Sequence, residues 1–376
     1  MRYPPILKDF LEMVELPSNS FSERLLADYM KRKLSELGCL VEEDQAGEKI
    51  GGDCGNIIAR WPGSAKASPI LFSAHLDRVD NPGCIKAVVK MEDDLIVSDG
   101  TTILGADDAT GLAAIIDGLR RIKQDGLVHG EVEIVLSVAE EVGLKGAKNL
   151  DCSQLKSKIG YVLDSAGPIG HIVNRAPTHK LLEAVFKGIS SHAGVAPEKG
   201  LNAIKVAAAA ITRIREGRLS PITTSNFGVI EGGKATNIVC DLVTLKGEVR
   251  SHDLKELEYY IAEVNQIFEQ TASEFATEVE LSWSEDYAGF YVVSDAPAIL
   301  LVSKVLKSLG RAVEIKTGGG GMDGNIFNHR GITCVGLGSG CDNFHSPAES
   351  QSLSDLILCG RLVAGLIEAA AAGPVI

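Results

Sequence analysis

No stretch of this 376-residue chain approaches the roughly 18 continuous apolar residues that mark a membrane helix, so a membrane-spanning protein is not expected. The opening MRYPPILKDFLEMVELP also lacks the basic start and unbroken apolar core of a signal peptide, carrying a proline pair and acids instead. Blocks rich in Lys and Arg are missing too. With 37 basic against 50 acidic residues the net charge is -13, which disfavours a nucleic-acid partner, because such binding rests on neutralising phosphates. The eight cysteines (39, 54, 84, 152, 240, 334, 341 and 359) contain no C-x-x-C pair, which suits reduced thiols rather than a disulfide frame or a zinc knuckle. No internal repeat is evident beyond the short GGGG at 318–321. These absences together point to a cytoplasmic protein, and its surplus of carboxylates suits a site for cations.

What is present is a chain too long for one hydrophobic core, so two domains are expected. Helical patterns at 6–14 and 22–37 lead to a strand at 56–59 and to the apolar run PILFSAHLD. After a loop comes GADDATGLAAIIDGLRRI, apolar at helical spacing, then VEIVLSVAEE and IGYVLDSAGPIG, two apolar runs ending on acids. That rhythm is an α/β sheet flanked by helices, in which ligands collect outside the carboxyl ends of the strands. From about Thr178 the order becomes strand, alanine-rich helix (201–216), strand, strand (235–251), helix, strand, the βαββαβ order of a ferredoxin-like α+β domain. The expected division is therefore a discontinuous catalytic domain of 1–177 and 288–376, with 178–287 inserted as a second domain.

Acids and imidazoles fall at the ends of these runs. His75 and Asp77 stand two apart and leave one face of a strand. Asp107 and Asp108 precede a helix, at the positive end of its dipole. Glu140 and Glu141 close the next strand, Asp164 the one after, and His345 lies late in GSGCDNFHSPAES. Gathered at one sheet edge these carboxylates would repel each other, whereas divalent cations turn the same cluster favourable. Two imidazoles with several carboxylates suit a pair of Zn²⁺, Mn²⁺ or Co²⁺ ions, which activate water and polarise a carbonyl. A free carboxylate is then needed as general base, so one of the adjacent glutamates would hold metal while the other moves the proton. Gly319, Gly321 and Gly324 fit G-x-G-x-x-G, but no βαβ unit surrounds them, and dinucleotide binding is set aside.

The order HLD, GADD, AEE, VLD and NFHS resembles the M20 family of co-catalytic zinc metallopeptidases, with the peptidase T (tripeptide aminopeptidase) branch as the nearest likeness, over nearly the whole chain. The resemblance implies that His75, Asp107 and Asp164 hold one metal while Asp107, Glu141 and His345 hold the other. It further implies Asp77 orienting His75, Glu140 as general base, and a cis peptide between Asp107 and Asp108. In the inserted domain it implies oxyanion stabilisation by His192 and substrate contacts from Asn237 and Arg250, with Gly320 and Asp323 of the glycine-rich stretch as further substrate contacts. The inserted domain would act as lid and dimer interface, making a homodimer. The implied activity is release of the N-terminal residue of a short peptide, a tripeptide in particular. Hydrolysis of N-acyl amino acids or dipeptides, or metal-dependent binding without catalysis, are the alternatives. Intact Glu140 and His192 argue against the last, because a binder needs ligands but no base.

Overall fold

The computed structural model describes residues 3–81 and 83–373, so the extreme ends of the expected catalytic segments, 1–2 and 374–376, lie outside the described residues. The chain divides into two compact units, Met1–Ala176 with Phe290–Ile376, and Pro177–Gly289. No helix among the described residues is long and apolar enough to cross a membrane. All eight cysteines are unpaired.

The first unit is built on a mixed sheet of nine strands among the described residues. Its centre holds four parallel strands: Ile70–His75 pairs on one side with Val132–Ser137 and on the other with Ile159–Ser165, which pairs in turn with Thr333–Gly338. The first two are buried along their whole length, which is why they read as continuous apolar runs rather than alternating ones. Their register sets His75 opposite Ser137, so the carboxyl ends of the strands share one edge. The helices Ala106–Asp125 and Leu353–Ala371 contribute Leu112, Ile115, Leu356 and Val363 to the apolar core of this unit.

Three expectations for this unit change. Val132–Ser137 ends three residues before Glu140, because Ala139 adopts a left-handed φ of 50° that turns the chain off the sheet. The loop expected after His75 contains two short strands, Ala87–Lys90 and Leu95–Ser98, joined to Ser350–Ser352 and Cys341–Asp342 in a four-stranded sheet. Four-residue strands carry too few alternations to stand out from a loop. The strand His171–Ala176, also unmarked in the sequence, pairs in parallel with Glu314–Thr317.

The second unit has a five-stranded sheet in the order Gly217–Ser220, Thr223–Gly232, Leu242–Ser251, Thr178–Lys187, Val279–Tyr287. The helices Ala203–Ile211 and Leu254–Glu274 share an apolar core with it, where the buried rings of Phe186 and Phe268 stand 5.3 Å apart. Truncating either ring would cost about 3–5 kcal/mol. The alanine-rich helix is shorter than its composition suggests. Asn202 caps its start by accepting from the Ile204 amide, and Thr212 ends it. The freed residues, 212–216, are turn and loop, and the extra hairpin strand follows them, entered through Gly217 at φ 81°. Residues 235–241, expected as strand, are loop.

Candidate metal centre

Each element delivers one or two side chains to the same place. His75 is the last residue of its strand and is only 2% exposed. Its Nδ1 donates to the Asp77 carbonyl at 2.9 Å, which fixes the tautomer and leaves Nε2 facing Asp107 Oδ1 at 3.0 Å. Asp107 Oδ2 lies 3.1 Å from His345 Nε2, so the two oxygens of one carboxylate face two different imidazoles. His345 Nε2 also stands 2.9 Å from Glu141 Oε1. That oxygen is buried and has no hydrogen-bond partner of acceptable geometry, the mark of a donor atom shaped for something other than a proton. Asp164 comes from the neighbouring strand, with Oδ1 at 4.0 Å from His75 Nε2.

Donor atoms of His75, Asp107 and Glu141 lie within 4.8 Å of one another, and so do those of His75, Glu140 and Asp164. Two overlapping sets of imidazole and carboxylate donors suit a pair of divalent ions of the zinc type. By distance alone Glu140 is as near as the other members of the second set.

The scaffold behind these groups explains how like charges sit side by side. Asp77 is fully buried, and its carboxylate stands 3.6 Å from the His75 ring. It accepts instead from the amides of Glu140 at 2.8 Å and Glu141 at 3.1 Å, and from Ser20 Oγ at 2.7 Å. Asp77 therefore grips the turn that presents both glutamates, while its main chain orients the imidazole. The Asp107–Asp108 peptide is cis. Asp108 turns away, accepting from the His75 and Gly111 amides.

Glu349, which no sequence pattern marks, is 1% exposed and accepts from the amides of Leu104, Gly105 and Asp107. It ties the start of the Asp107 helix to the loop that carries His345, four residues before it. Its only signal in the sequence is an acid next to a motif. Ala139 and His345 both have left-handed φ, 50° and 61°, conformations that non-glycine residues retain where surrounding structure fixes them.

The electrostatics are those of acids short of cations. Burial pushes the Glu140, Glu141 and Asp164 carboxyls above their usual range, and neighbouring acids add to it. Burial would lower His75, but hydrogen bonding to Asp107 and Asp77 holds it well above the ordinary imidazole value. His345 is pushed up to about 10 by Asp107 and Glu141.

A cavity of about 470 Å³ opens beside the cluster, lined by Glu140, Asp164, Phe344, Met322 and the loop Gly318–Gly321, which includes Gly320. Asp323 does not reach it. This residue is 1% exposed and its carboxyl faces Ser73 and Ser137 from the start of the helix Asp323–His329. In the other unit, His192 and Asn237 are exposed loop residues, with His192 Nδ1 accepting from the Gly194 amide and the Asn237 carbonyl from the Ala193 amide. Arg250 lies on a strand and donates twice to Glu248.

Residues 179–276 match the family described as peptidase dimerisation domain, and residues 56–199 match peptidase family M28. The chain is 37% identical to the uncharacterized protein YqjE of Bacillus subtilis, over 97% of this chain and 98% of that one. Among solved structures it is similar to the aminopeptidase PepT of Bacillus cereus, with 37% identity, 98% of each chain covered and a TM-score of 0.87. A tripeptidase of Staphylococcus aureus gives 35% identity, 98% of each chain and a TM-score of 0.92. Fold and site together define the class, a peptidase hydrolase. The chain belongs to the M20 family of peptidases, as a peptidase T-like member.

Proposed function

We propose that this protein is a di-metal aminopeptidase that removes the N-terminal residue from short peptides, tripeptides in particular, with Glu140 as general base. The observation that carries the reading is Asp107, whose two oxygens face His75 and His345 at 3.0 and 3.1 Å, the disposition a bridging ligand needs. The similarity to an aminopeptidase and a tripeptidase over nearly the whole chain supports the substrate class. His75, Asp107 and Asp164 would hold one ion and Asp107, Glu141 and His345 the other, zinc fitting this donor set best, with manganese or cobalt able to replace it. Bound there, the ions would supply Lewis acidity and neutralise the clustered carboxylates.

The chain's own residues supply the rest. Glu140, 8% exposed and held through its amide by Asp77, has a carboxyl that burial keeps avid for a proton. It takes the proton of the attacking water and returns it to the leaving amine. In the inserted unit the reading assigns His192 to stabilising the oxyanion, and Asn237 and Arg250 to holding the peptide. That unit would also make a homodimer, in keeping with its match to a dimerisation domain and with exposed Val195, Ile230 and Leu242. Eight unpaired cysteines suit a reducing cytoplasm.

The test is release of free amino acid from tripeptides, dipeptides, N-acetylated peptides and N-acyl amino acids, by chelated protein and by protein restored with Zn²⁺, Mn²⁺ or Co²⁺. Metal-dependent cleavage of free-amine tripeptides is expected. Turnover of N-acyl substrates alone would move the protein to the amidohydrolases, and turnover of none by metal-loaded protein would sink the catalytic reading.

A further inference from the structure

One wall of the cavity beside the metal centre has a charge that the reaction does not use. Apart from the acids and His345 of the cluster, its lining is glycine, serine, alanine and apolar side chains, with Thr317, Lys316 and His171. Lys316 is the one Lys or Arg among the described lining residues. The two basic side chains share a counter-ion. Glu314 pairs with Lys316 through Oε1, and its Oε2 lies 3.2 Å from His171 Nε2. The parallel pairing of Glu314–Thr317 with His171–Ala176 sets Glu314 directly opposite His171 and Lys316 opposite Val173, another lining residue.

The His171 ring has little freedom, because Gly167, at φ 90°, leaves room for it only by lacking a side chain; a Cβ there would fall 2.5 Å from Nδ1. Glu314 does not line the cavity, so its carboxylate stands behind the two bases and orients them. An ammonium group has three protons to donate, and one carboxylate contact leaves donors available on the cavity side. The acid cluster lines the same cavity, and bound cations would neutralise its charge. Lys316, sharing the single Glu314 carboxylate with His171, then remains the one Lys or Arg in a space able to hold one amino-acid residue.

We infer that Lys316, with His171 beside it, selects substrates whose N-terminal residue carries a carboxylate side chain, that is, peptides beginning with Glu or Asp. The inference rests on the aminopeptidase reading above. An exopeptidase that releases one residue must house that residue in the space next to the reacting bond, while the remaining chain leads outward. A carboxylate facing Lys316 gains a charge-assisted hydrogen bond that an amide of the same shape makes more weakly, and a basic side chain is repelled.

The experiment compares kcat/KM of the metal-loaded protein for Glu-Gly-Gly, Gln-Gly-Gly and Lys-Gly-Gly. Glu over Gln is expected by about tenfold, mostly in KM because the contact is already made in the bound ground state. Lys316→Met should bring that ratio to about one, and Lys316→Glu should raise Lys-Gly-Gly above Glu-Gly-Gly. Glu and Gln share a shape, so a purely structural role for Lys316 would move both substrates together and leave the ratio intact. A wild-type ratio near one, or a ratio untouched by Lys316→Met, overturns the inference. Calorimetric binding of free glutamate and glutamine to the same metal-loaded proteins separates the two levels of the proposal. If no tripeptide is cleaved, the aminopeptidase reading fails, yet tighter glutamate binding that Lys316→Met abolishes still upholds the acid-selecting wall. Equal binding of the two amino acids refutes it.

Discussion

Each unit of the molecule carries a cluster of charged side chains, and the two are assembled on opposite terms. In Pro177–Gly289, His179 lies between Asp286 and Glu248, with ring nitrogens 3.1 and 3.0 Å from their oxygens, while Arg250 bonds Glu248 from the side. Two acids meet two bases there. The pairing is complete, and hydrogen bonding to His179 holds the Glu248 carboxyl down at about 2. In the other unit Asp107, Glu140, Glu141 and Asp164 share only His75 and His345, and three of the four carboxyls are pushed upward by burial. A cluster that balances itself holds a fold together. A buried cluster that does not balance is one that a cation from solution would complete, as the proposed function has it.

The sharpest way to break this comparison is Glu140→Gln. The amide keeps the size of the side chain and the main-chain grip of Asp77, but it cannot accept the proton at neutral pH. Turnover should fall by roughly 10²–10⁴-fold, the usual contribution of a general base, with bound metal unchanged. Loss of metal together with activity would make Glu140 a ligand, which its place in the His75–Glu140–Asp164 group allows by distance.

Metal removal should then separate the two units. Each holds one of the two tryptophans, Trp61 stacked on His129 in the first unit and Trp283 bonded to Asn265 in the second. Ligand binding to the native state alone adds about 3–4 kcal/mol at 100 to 1,000 times Kd, which is on the order of 10 °C in melting temperature for a unit of this size. Chelation should lower the transition reported by Trp61 by that amount in a Trp283→Phe background. The transition reported by Trp283 in a Trp61→Phe background should move little. Equal shifts would mean that the two units unfold as one, and no shift at Trp61 would mean that the acid cluster does not depend on cations.

Much of this asymmetry is legible in the sequence, and the reason is local. His75 ends one buried strand and Asp164 stands one residue before the end of another, both announced by apolar runs, and Asp107 lies at the start of a helix with clear periodicity. The supports are not legible, because they act across long separations. Glu349 reaches the Leu104 amide 245 positions away, and no spacing within the late loop reveals that its carboxylate is buried. The partners of Asp77 are hidden for the same reason, since the amides it grips lie some 60 positions on and depend on the left-handed turn at Ala139. Arg250 carries a further contact that its motif does not announce, since it donates to Glu248, a residue two positions away on the same strand.

The smallest expected effect lies in the balanced cluster and is read through pH. Burial would lower His179, but Asp286 and Glu248 hold it above the ordinary value of 6.5, so its stabilising contribution is whole below pH 6.5 and fades as pH rises through the raised value. Glu248 runs the other way. Its carboxyl lies near 2 in the folded unit against 4.5 unfolded, so its contribution is whole above pH 4.5 and fades as pH falls toward 2. The Trp283-reported stability should therefore be flat between about pH 4.5 and 6.5 and decline on either side. Glu248 is partly open to solvent, which limits the acid decline to about 1 kcal/mol or less. His179→Asn should remove the alkaline decline and, because His179 is the main group holding Glu248 down, weaken the acid one as well; Glu248→Gln should remove the acid decline and, because it takes away one partner of His179, weaken the alkaline one as well. An alkaline decline that survives His179→Asn would show that the second cluster, too, leans on something outside itself.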